Sequence, residues 1–584
     1  MADIASILKD RFSQAISSVF GAAHTRTDPL IRPSANPKFG DYQANVAMSL
    51  GKQLGRKPRH VADAIRSGLE IDDLCETVAI AGPGFINLTL KTDVLARLVE
   101  AFGVDERLGV GCAERPATVV VDYSSPNVAK EMHVGHLRST VIGDCICRVL
   151  DFAGHRVIRQ NHLGDWGTQF GMLIEGLVLN QSEEEAAKTV HSFADLEAFY
   201  RDAKAQFDAD PAFAARSRQR VVKLQSGDEI TKQLWDRLVR ASAVRFQCMY
   251  DRLGVQLTDE DVRGESFYNS ALPHVVADLE GAGLVRESQG AKVVFPEGFI
   301  DRDRNPLPLI VRKSDGGFLY ATTDLAAARY RIGELKADRI IYVTDARQSQ
   351  HFQMIFATLR KAGWTGPDLQ LDHVAFGTIL GKDGKPFKTR SGDTVRLADL
   401  LDEAEQRAAT TLEQKNPDLP AEARRAIARA IGIGALKYGD LCSDRIKDYV
   451  FDWDRMLALE GNTAPYLQNA YVRIRSIFRK GGIDPSACAG AALLIGQPAE
   501  RAVALKLLQL PAVVVAVADT LEPHRLCTFL YELASLFHQF YEQCPVLAAD
   551  DSATRDSRLL LCDLSARTLG QGLALLGIET VERM

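Results

Sequence analysis

Thr118-Val119-Val120-Val121-Asp122-Tyr123-Ser124-Ser125-Pro126-Asn127-Val128-Ala129-Lys130-Glu131-Met132-His133-Val134-Gly135-His136 is the stretch whose reading decides the fold. It opens on a short β-branched run of the kind that forms a buried strand. Ser124, Ser125, Pro126 and Asn127 are turn formers. Beyond them Val134, Leu137, Val141, Ile142, Cys145 and Val149 trace one face of a helix of 3.6 residues per turn. Strand, polar turn and helix make the opening unit of a doubly wound α/β fold, whose ligands sit at the carboxyl ends of the strands. His133 and His136 stand three apart at the helix start, where they add donors to an electropositive end. Gly135 lets a bulky ligand approach the backbone. This arrangement suits a nucleotide whose α-phosphate is attacked and whose pyrophosphate leaves. Satisfied structural histidines are the alternative, and for four letters taken alone the commoner one.

Outward from this unit the pattern continues. Ile340-Ile341-Tyr342-Val343 reads as a second buried strand, and the helix after it carries Phe352, Ile355, Phe356 and Leu359 on one face. Between the two, residues 181 to about 252 are rich in Ala, Glu, Arg, Gln and Lys and read as a helical insertion. Upstream, Ile86-Asn87-Leu88-Thr89-Leu90 alternates apolar and polar residues, the period of a half-buried strand. Residues 1–112 therefore read as a small α+β domain, closed by a linker at Glu114-Arg115-Pro116. From about 400 onward the chain is nearly all helix, an α-helical bundle. The expected division is 1–112, an α/β domain over 113–380, a loop and helical region over 381–455, and a bundle over 456–584.

Composition narrows the function classes. Of 584 residues 46% are hydrophobic and 25% charged, which excludes a disordered or collagen-like chain. The net charge of −6 argues against a basic coat for nucleic acid but leaves room for local basic grooves. The ten cysteines are scattered and no CxxC occurs, so structural zinc is not expected. The longest apolar run, about Leu510 to Ala518, contains a proline and falls short of the roughly 20 residues a spanning helix needs. No membrane segment and no signal peptide are expected, and the expected location is the cytoplasm.

The run from Asp122 to His136, continuing into Leu137-Arg138-Ser139-Thr140, resembles the class I aminoacyl-tRNA synthetases in the form carried by the arginyl-tRNA synthetases. So do Asn161-His162-Leu163-Gly164-Asp165-Trp166-Gly167-Thr168-Gln169-Phe170-Gly171, Tyr320-Ala321-Thr322-Thr323-Asp324, Gly461-Asn462-Thr463-Ala464-Pro465-Tyr466-Leu467-Gln468 and Leu576-Gly577-Ile578-Glu579. These matches are independent, run in the family's order and cover nearly the whole chain. The resemblance implies a multidomain α/β protein. It has a Rossmann-type catalytic domain with a helical insertion, an N-terminal additional α+β domain that meets the tRNA's outer corner, and a C-terminal α-helical anticodon-binding domain. It implies ATP as substrate with accompanying Mg2+, and activation of L-arginine with loss of pyrophosphate. Transfer to the 3′-terminal adenosine of tRNA(Arg) follows, at the 2′-hydroxyl first, and activation needs bound tRNA. A monomer is expected. Such chemistry rests on positioning and charge stabilisation, so it needs no covalent nucleophile.

The resemblance also implies roles. His133, His136 and Lys130 are the catalytic candidates, with His133, Gly135, His136, Lys385, Lys388 and Arg390 on ATP. Asp122, Ser124, Asn127, Tyr320, Asp324 and Gln348 are the candidates for arginine: Asp324 and the Tyr320 hydroxyl for the guanidinium, Ser124, Asn127 and Gln348 for the α-amino or carboxylate end. A guanidinium offers five donors in a plane and is best met by a carboxylate plus further acceptors. By sequence alone Asp324 also fits a helix N-cap before Leu325, and Tyr320 a core aromatic. The loop Gly381–Gly392 resembles the family's second signature but departs from the standard lysine pattern. Read from Lys385 it gives K-x-x-K-T, and a register one residue or more later is also open. A solvated hairpin tip is the plain alternative for its lysines.

Three basic runs are candidates for RNA: Lys52, Arg56, Lys57, Arg59, His60 and Arg66; Arg216, Arg218, Arg220 and Lys223; and Arg473, Arg475, Arg479 and Lys480, which follow Tyr466 and Tyr471. Splayed bases want aromatic stacking and cations on the backbone. For each run a solvated helix face is the competing reading. Small-molecule adenylyltransferases share the histidine motif but are shorter and lack a helical C-terminal domain. An inactive synthetase-like protein is expected to lose the histidines or the amino-acid pocket.

Overall fold

The structure, a computed structural model, describes residues 4–34, 36–179, 196–388, 395–488 and 490–584. Helix α1 (Ile4–Phe20), strands β1 (Ile31–Pro33) and β2 (Tyr42–Ala44), helices α2 (Val46–Leu54) and α3 (Pro58–Ser67), and strands β3 (Cys75–Ala81) and β4 (Phe85–Leu90) form the N-terminal unit. Its antiparallel sheet runs β1-β2-β4-β3 and closes over its own core of Leu8, Phe12, Ile16, Ile65, Ile86 and Leu88. Helix α4 (Thr92–Val104) follows, but Leu95, Val99 and Phe102 enter the larger core shared with the rest of the chain. The expected boundary at 112 thus falls after a helix whose buried face belongs to the next unit. The N-terminal unit and α4 are both bolted to the C-terminal region. Arg501 bridges Asp41 and the Leu90 carbonyl, Leu493 N donates to Glu100, and Arg567 donates to the carbonyls of Gly103 and Asp105.

The central sheet is built from β5 (Thr118–Asp122), β6 (Arg156–Gln160), β10 (Arg339–Asp345) and β11 (Gln370–Phe376), all parallel in the order β11-β10-β5-β6. Helix α5 (Val134–Phe152) crosses from β5 to β6. Val119 and Val121 enter one core, Val120 and Ile340 the other, so the sheet is buried on both faces. That is why its strands read as unbroken apolar runs. The carboxyl ends of β5 and β10, adjacent in the sheet, form the crevice where such folds bind ligands.

After β6 come α6 (Thr168–Val178) and the insertion helices α7 (Leu196–Ala209), α8 (Pro211–Gln225) and α9 (Glu229–Leu253). Residues 181–195 of the expected insertion lie outside the described residues. Helix α10 (Leu272–Gly281) leads to an antiparallel sheet of β7 (Val285–Ser288), β8 (Ala291–Val294) and β9 (Leu309–Arg312), then α11 (Tyr320–Gly333). Helix α12 (Ser349–Lys361) joins β10 to β11. Strand β12 (Ile379–Leu380) pairs with β13 (Tyr449–Val450) across α13 (Leu397–Lys415) and α14 (Ala421–Leu441).

The C-terminal bundle is α15 (Ala464–Gly481), α16 (Pro498–Leu507), α17 (Leu510–Thr520), α18 (His524–Gln543) and α19 (Ser552–Leu575). Pro498–Thr520 as one run is long and apolar enough to cross a membrane by length and composition. Here it is split between α16 and α17, and Val503, Leu507, Leu510, Val514 and Val517 pack into the main core.

Candidate active site

The turn after β5 is held in a conformation few side chains adopt. Ser124 (φ 70°), Ser125 (φ 49°) and Ala129 (φ 65°) are left-handed without being glycine. Hydrogen bonds from all sides impose this. Ser124 N donates to Ser139 Oγ (2.9 Å), Ser125 N to Asn161 Oδ1 (3.0 Å) and Ala129 N to Ser242 Oγ of α9 (3.0 Å). The Ser124 hydroxyl is shared between Tyr250 of α9 and Thr140, each at 2.9 Å. Ser124 therefore points into the protein. Asn127 is exposed at the mouth, its side chain lying over Gly164, where a Cβ would come within 2.2 Å of the Asn127 Oδ1.

Asp122 also faces inward. Its Oδ2 accepts from the fully buried Arg331 of α11 (2.6 Å) and its Oδ1 from Ser125 Oγ (3.0 Å). Gln160 takes a second bond from Arg331 (2.6 Å). The charge of Asp122 is thus matched internally, at the carboxyl end of β5.

His133 is the N-cap of α5. Its Nδ1 accepts from Gly135 N, and His136 Nδ1 accepts from His133 N, each at 3.0 Å, a capping box made of two histidines. A ring nitrogen that accepts is unprotonated, so in the neutral imidazoles the proton sits on Nε2 of both. Burial, then the neighbouring charges, pushes the His136 imidazole down to about 3, and burial and Lys130 lower that of His133. At neutral pH the pair is two neutral donors at a helix N-terminus. Gly135 has a further reason to be glycine: a Cβ there would stand 2.8 Å from the His133 ring. Lys130 is exposed beside them, its ammonium 5.0 Å from the Tyr200 ring of α7.

Two residues behind His136, Arg138 is buried and ion-paired with Asp440 of α14 (2.8 Å). It donates to the carbonyl of Gly377 (2.7 Å), which precedes β12 and the signature loop. On the far side of that loop, Val134 N donates to the Val395 carbonyl and Leu397 N to that of Met132. Both roots of the loop are therefore fastened to the histidine segment. Lys382, Lys385 and Lys388 are exposed, with Lys382 3.0 Å from Asp452. Arg390 lies outside the described residues.

Tyr320 is the first residue of α11 and 63% exposed. Asp324 follows one turn later inside the helix, whose N-cap is Leu319, so the capping alternative for Asp324 does not hold. Its Oδ2 lies 2.6 Å from Nε2 of His351 on α12, and the Tyr320 ring packs on that imidazole. Glu265 is close by: burial, then Asp165 and Asp324, raises its carboxyl to about 7. Gln348 is the exposed N-cap residue of α12, just past the carboxyl end of β10. Sequence reasoning missed Glu265 and His351. Neither carries a spacing signal, since each meets Asp324 from a different element.

The basic runs separate. Lys52, Arg56, Lys57, Arg59, His60 and Arg66 are all exposed on α2, α3 and their connection. In the second run Arg220 is buried and Arg216, still exposed, also reaches the buried Glu175 of α6, at 3.3 and 2.7 Å, while Arg218 and Lys223 stand in solvent. On α15 the run divides by helical phase. Arg475 and Arg479 face Glu582, while Arg473 and Lys480 line a cavity of about 190 Å³ with Tyr466, Phe537, His538 and Tyr541.

Comparison with known proteins places this geometry. Residues 99–453 match the family of class I tRNA synthetases (R), catalytic domain; residues 6–90 match the arginyl tRNA synthetase N terminal domain and residues 467–584 the DALR anticodon binding domain. The fold and site are those of a class I aminoacyl-tRNA synthetase. Arginine–tRNA ligases from Synechococcus elongatus and Thermobifida fusca are each 54% identical to this chain, over 99% and 100% of both lengths. The crystal structure of arginyl-tRNA synthetase from Plasmodium falciparum covers all of both chains with a TM-score of 0.87 at 32% identity, and that from Thermus thermophilus with 0.83 at 26%. The chain belongs to the arginyl-tRNA synthetases, and it joins arginine to tRNA(Arg) at the expense of ATP.

Proposed function

We propose that Asp324, the Tyr320 hydroxyl and Glu265 receive the guanidinium, and that Asn127 and Gln348 at the mouth hold the amino-acid end. The observation that carries this reading is the placement of Tyr320 and Asp324 one turn apart on α11, both against His351, with the carboxyl of Glu265 raised to about 7 by burial, then by Asp165 and Asp324. A cation beside these carboxylates relieves their repulsion. Asp122 and Ser124 stay candidates for the arginine: Arg331, Ser125, Thr140 and Tyr250 hold them in place, and the Asp122 carboxylate keeps further lone-pair sites for a ligand.

The Nε2–H groups of His133 and His136, with Gly135 exposed between them and Lys130 beside them, receive the triphosphate. The arginine carboxylate attacks the α-phosphorus, an O–P bond forms, and the bond to the β-phosphate breaks. Two neutral donors and Lys130 meet the charge that develops, without a proton having to move. Lys385, Lys388 and Arg390 attend the departing pyrophosphate, and Mg2+ arrives with the nucleotide. The 2′-hydroxyl of the terminal adenosine then attacks the adenylate carbonyl and AMP leaves. The division of labour follows 1–112 on the tRNA's outer corner, 113–380 for catalysis, 381–455 for the loop and stem contact, and 456–584 for the anticodon. Tyr466, Tyr541, Arg473 and Lys480 offer a splayed base both stacking and charge. We place the enzyme in the cytoplasm as a monomer.

The test is Asp324→Asn, which keeps shape and removes charge. Truncating one side of a desolvated charged pair costs about 2–5 kcal/mol. Arginine affinity collapses and ATP affinity survives; an unchanged KM for arginine refutes the assignment.

A further inference from the structure

A carboxylate on a helix has a soft last torsion, because χ2 of Asp is broad and two-fold. A guanidinium outcompetes an ammonium by fork-to-fork contact, two parallel N–H···O bonds in one plane. That advantage exists where the carboxylate plane is set before the ligand arrives. Here Nε2 of His351 stands 2.6 Å from Asp324 Oδ2. The imidazole is itself braced. The Tyr320 ring meets it at a tilt, 5.0 Å between centroids, and Phe352 packs edge-on at 5.3 Å. Phe352 in turn stacks on His373, whose Nε2 meets Thr344 Oγ1 at 2.8 Å. The His351 and Asp324 side chains are 16% and 18% exposed, so water competes weakly for this bond. A carboxylate has about four lone-pair sites. His351 occupies one on Oδ2, which leaves Oδ1 and the second site on Oδ2 to a ligand.

We infer that His351 is a positioning residue for amino-acid selection: its Nε2–H fixes the plane of the Asp324 carboxylate, so that a planar guanidinium is preferred over a compact ammonium of similar reach. The inference rests on the assignment of Asp324 to the guanidinium.

Pyrophosphate exchange by the full-length enzyme with tRNA(Arg) tests it, comparing His351→Ala, His351→Gln and Asp324→Asn. In His351→Ala the KM for arginine rises roughly tenfold, the effect of one lost orienting hydrogen bond near a charge, while kcat and the KM for ATP stay within about twofold. Lysine and ornithine, tested as competitors, keep their inhibition constants within about twofold, because a point charge does not need the plane. Discrimination therefore falls by about the same factor that the arginine KM rises. His351→Gln, whose amide nitrogen donates from a similar reach, recovers most of the loss. A parallel weakening of arginine, lysine and ornithine, or no recovery with glutamine, overturns the proposal in favour of general loosening. An arginine KM unchanged in His351→Ala while Asp324→Asn collapses it overturns the proposal alone. An unchanged KM in Asp324→Asn removes the Asp324 assignment itself. If the alanine variant does not fold, His351→Asn, polar but too short to reach Asp324, takes its place in each comparison.

Discussion

Between Met132 and Arg138 the chain is engaged at every polar position: two histidines cap their own helix, Gly135 clears space for a ring, and Arg138 is buried on Asp440. Between Gly381 and Lys388 three lysines stand in solvent and Lys382 leans on a carboxylate across the groove. In the function proposed above, both segments serve the same triphosphate. The first is ready-made, its donors fixed by backbone bonds that exist without ligand. The second has firm roots at Gly377 and Val395 but exposed charges between them. The difference teaches where preorganisation ends and partner-dependent assembly begins.

The strongest way to break this contrast is His136→Asn. The Asn side-chain oxygen can still accept from His133 N and keep the cap, while the Nε2 donor is gone. Loss of one such donor costs roughly 10²–10³ in rate. We expect that loss in kcat with tRNA present, with arginine binding unchanged and the melting temperature unchanged at pH 7.5. Near-parental turnover shows that His136 is a cap and nothing more.

The second test addresses the exposed segment. If its lysines are ordered by bound tRNA, exchange with arginine and ATP alone stays near background. It rises by about tenfold or more when tRNA(Arg) is added, including tRNA with an oxidised 3′ end, because a rare competent state becomes populated. Robust exchange in nuclease-treated, tRNA-free enzyme defeats the contrast.

The smallest effect is on pH. His136 is held down to about 3 and His373 to about 4, both chiefly by burial. Their folded values lie below the unfolded value of about 6.5. The unfolded chain then takes up protons that the native state refuses, so stability is full above about 6.5 and falls as pH drops toward 4. Melting curves from pH 7.5 to 4.5 should show a shallower decline for His136→Asn than for the parent; parallel curves would place the His136 imidazole in an unshifted environment.

The strand, turn and helix at 118–152 were legible because local propensity and tertiary need coincide there. The partners that complete the site were not. Tyr250 and Ser242 come to the turn from 126 and 113 positions away, and His351 reaches Asp324 from 27. No spacing rule connects residues on separate helices. In the charge run at 216–223 the pairing of Arg216 and Arg220 was hidden for a related reason: counting cations along a helix does not reveal a buried Glu175 on its neighbour. The β7–β9 sheet went unseen because strands of four residues hold too little alternation to register. Pro116 marked a linker, yet α4 before it contributes Leu95, Val99 and Phe102 to the main core. A deletion through 110 would therefore open that core, whereas a cut after Leu90 spares it.

Arg501, clasped to Asp41 and to the Leu90 carbonyl, has a consequence for cargo inspection. With Glu100 on Leu493 N and Arg567 on the end of α4, it ties the N-terminal unit, α4 and the helical bundle together, like one gauge. If the two units meet the tRNA's corner and its anticodon loop as proposed, an RNA gripped at both jaws is judged by the distance between corner and loop, as well as by its bases. A transcript of tRNA(Arg) lengthened by one base pair in the stem between them should be charged less well than one with an unpaired base added at the loop. Loosening the clasp with Arg501→Ala should narrow that gap.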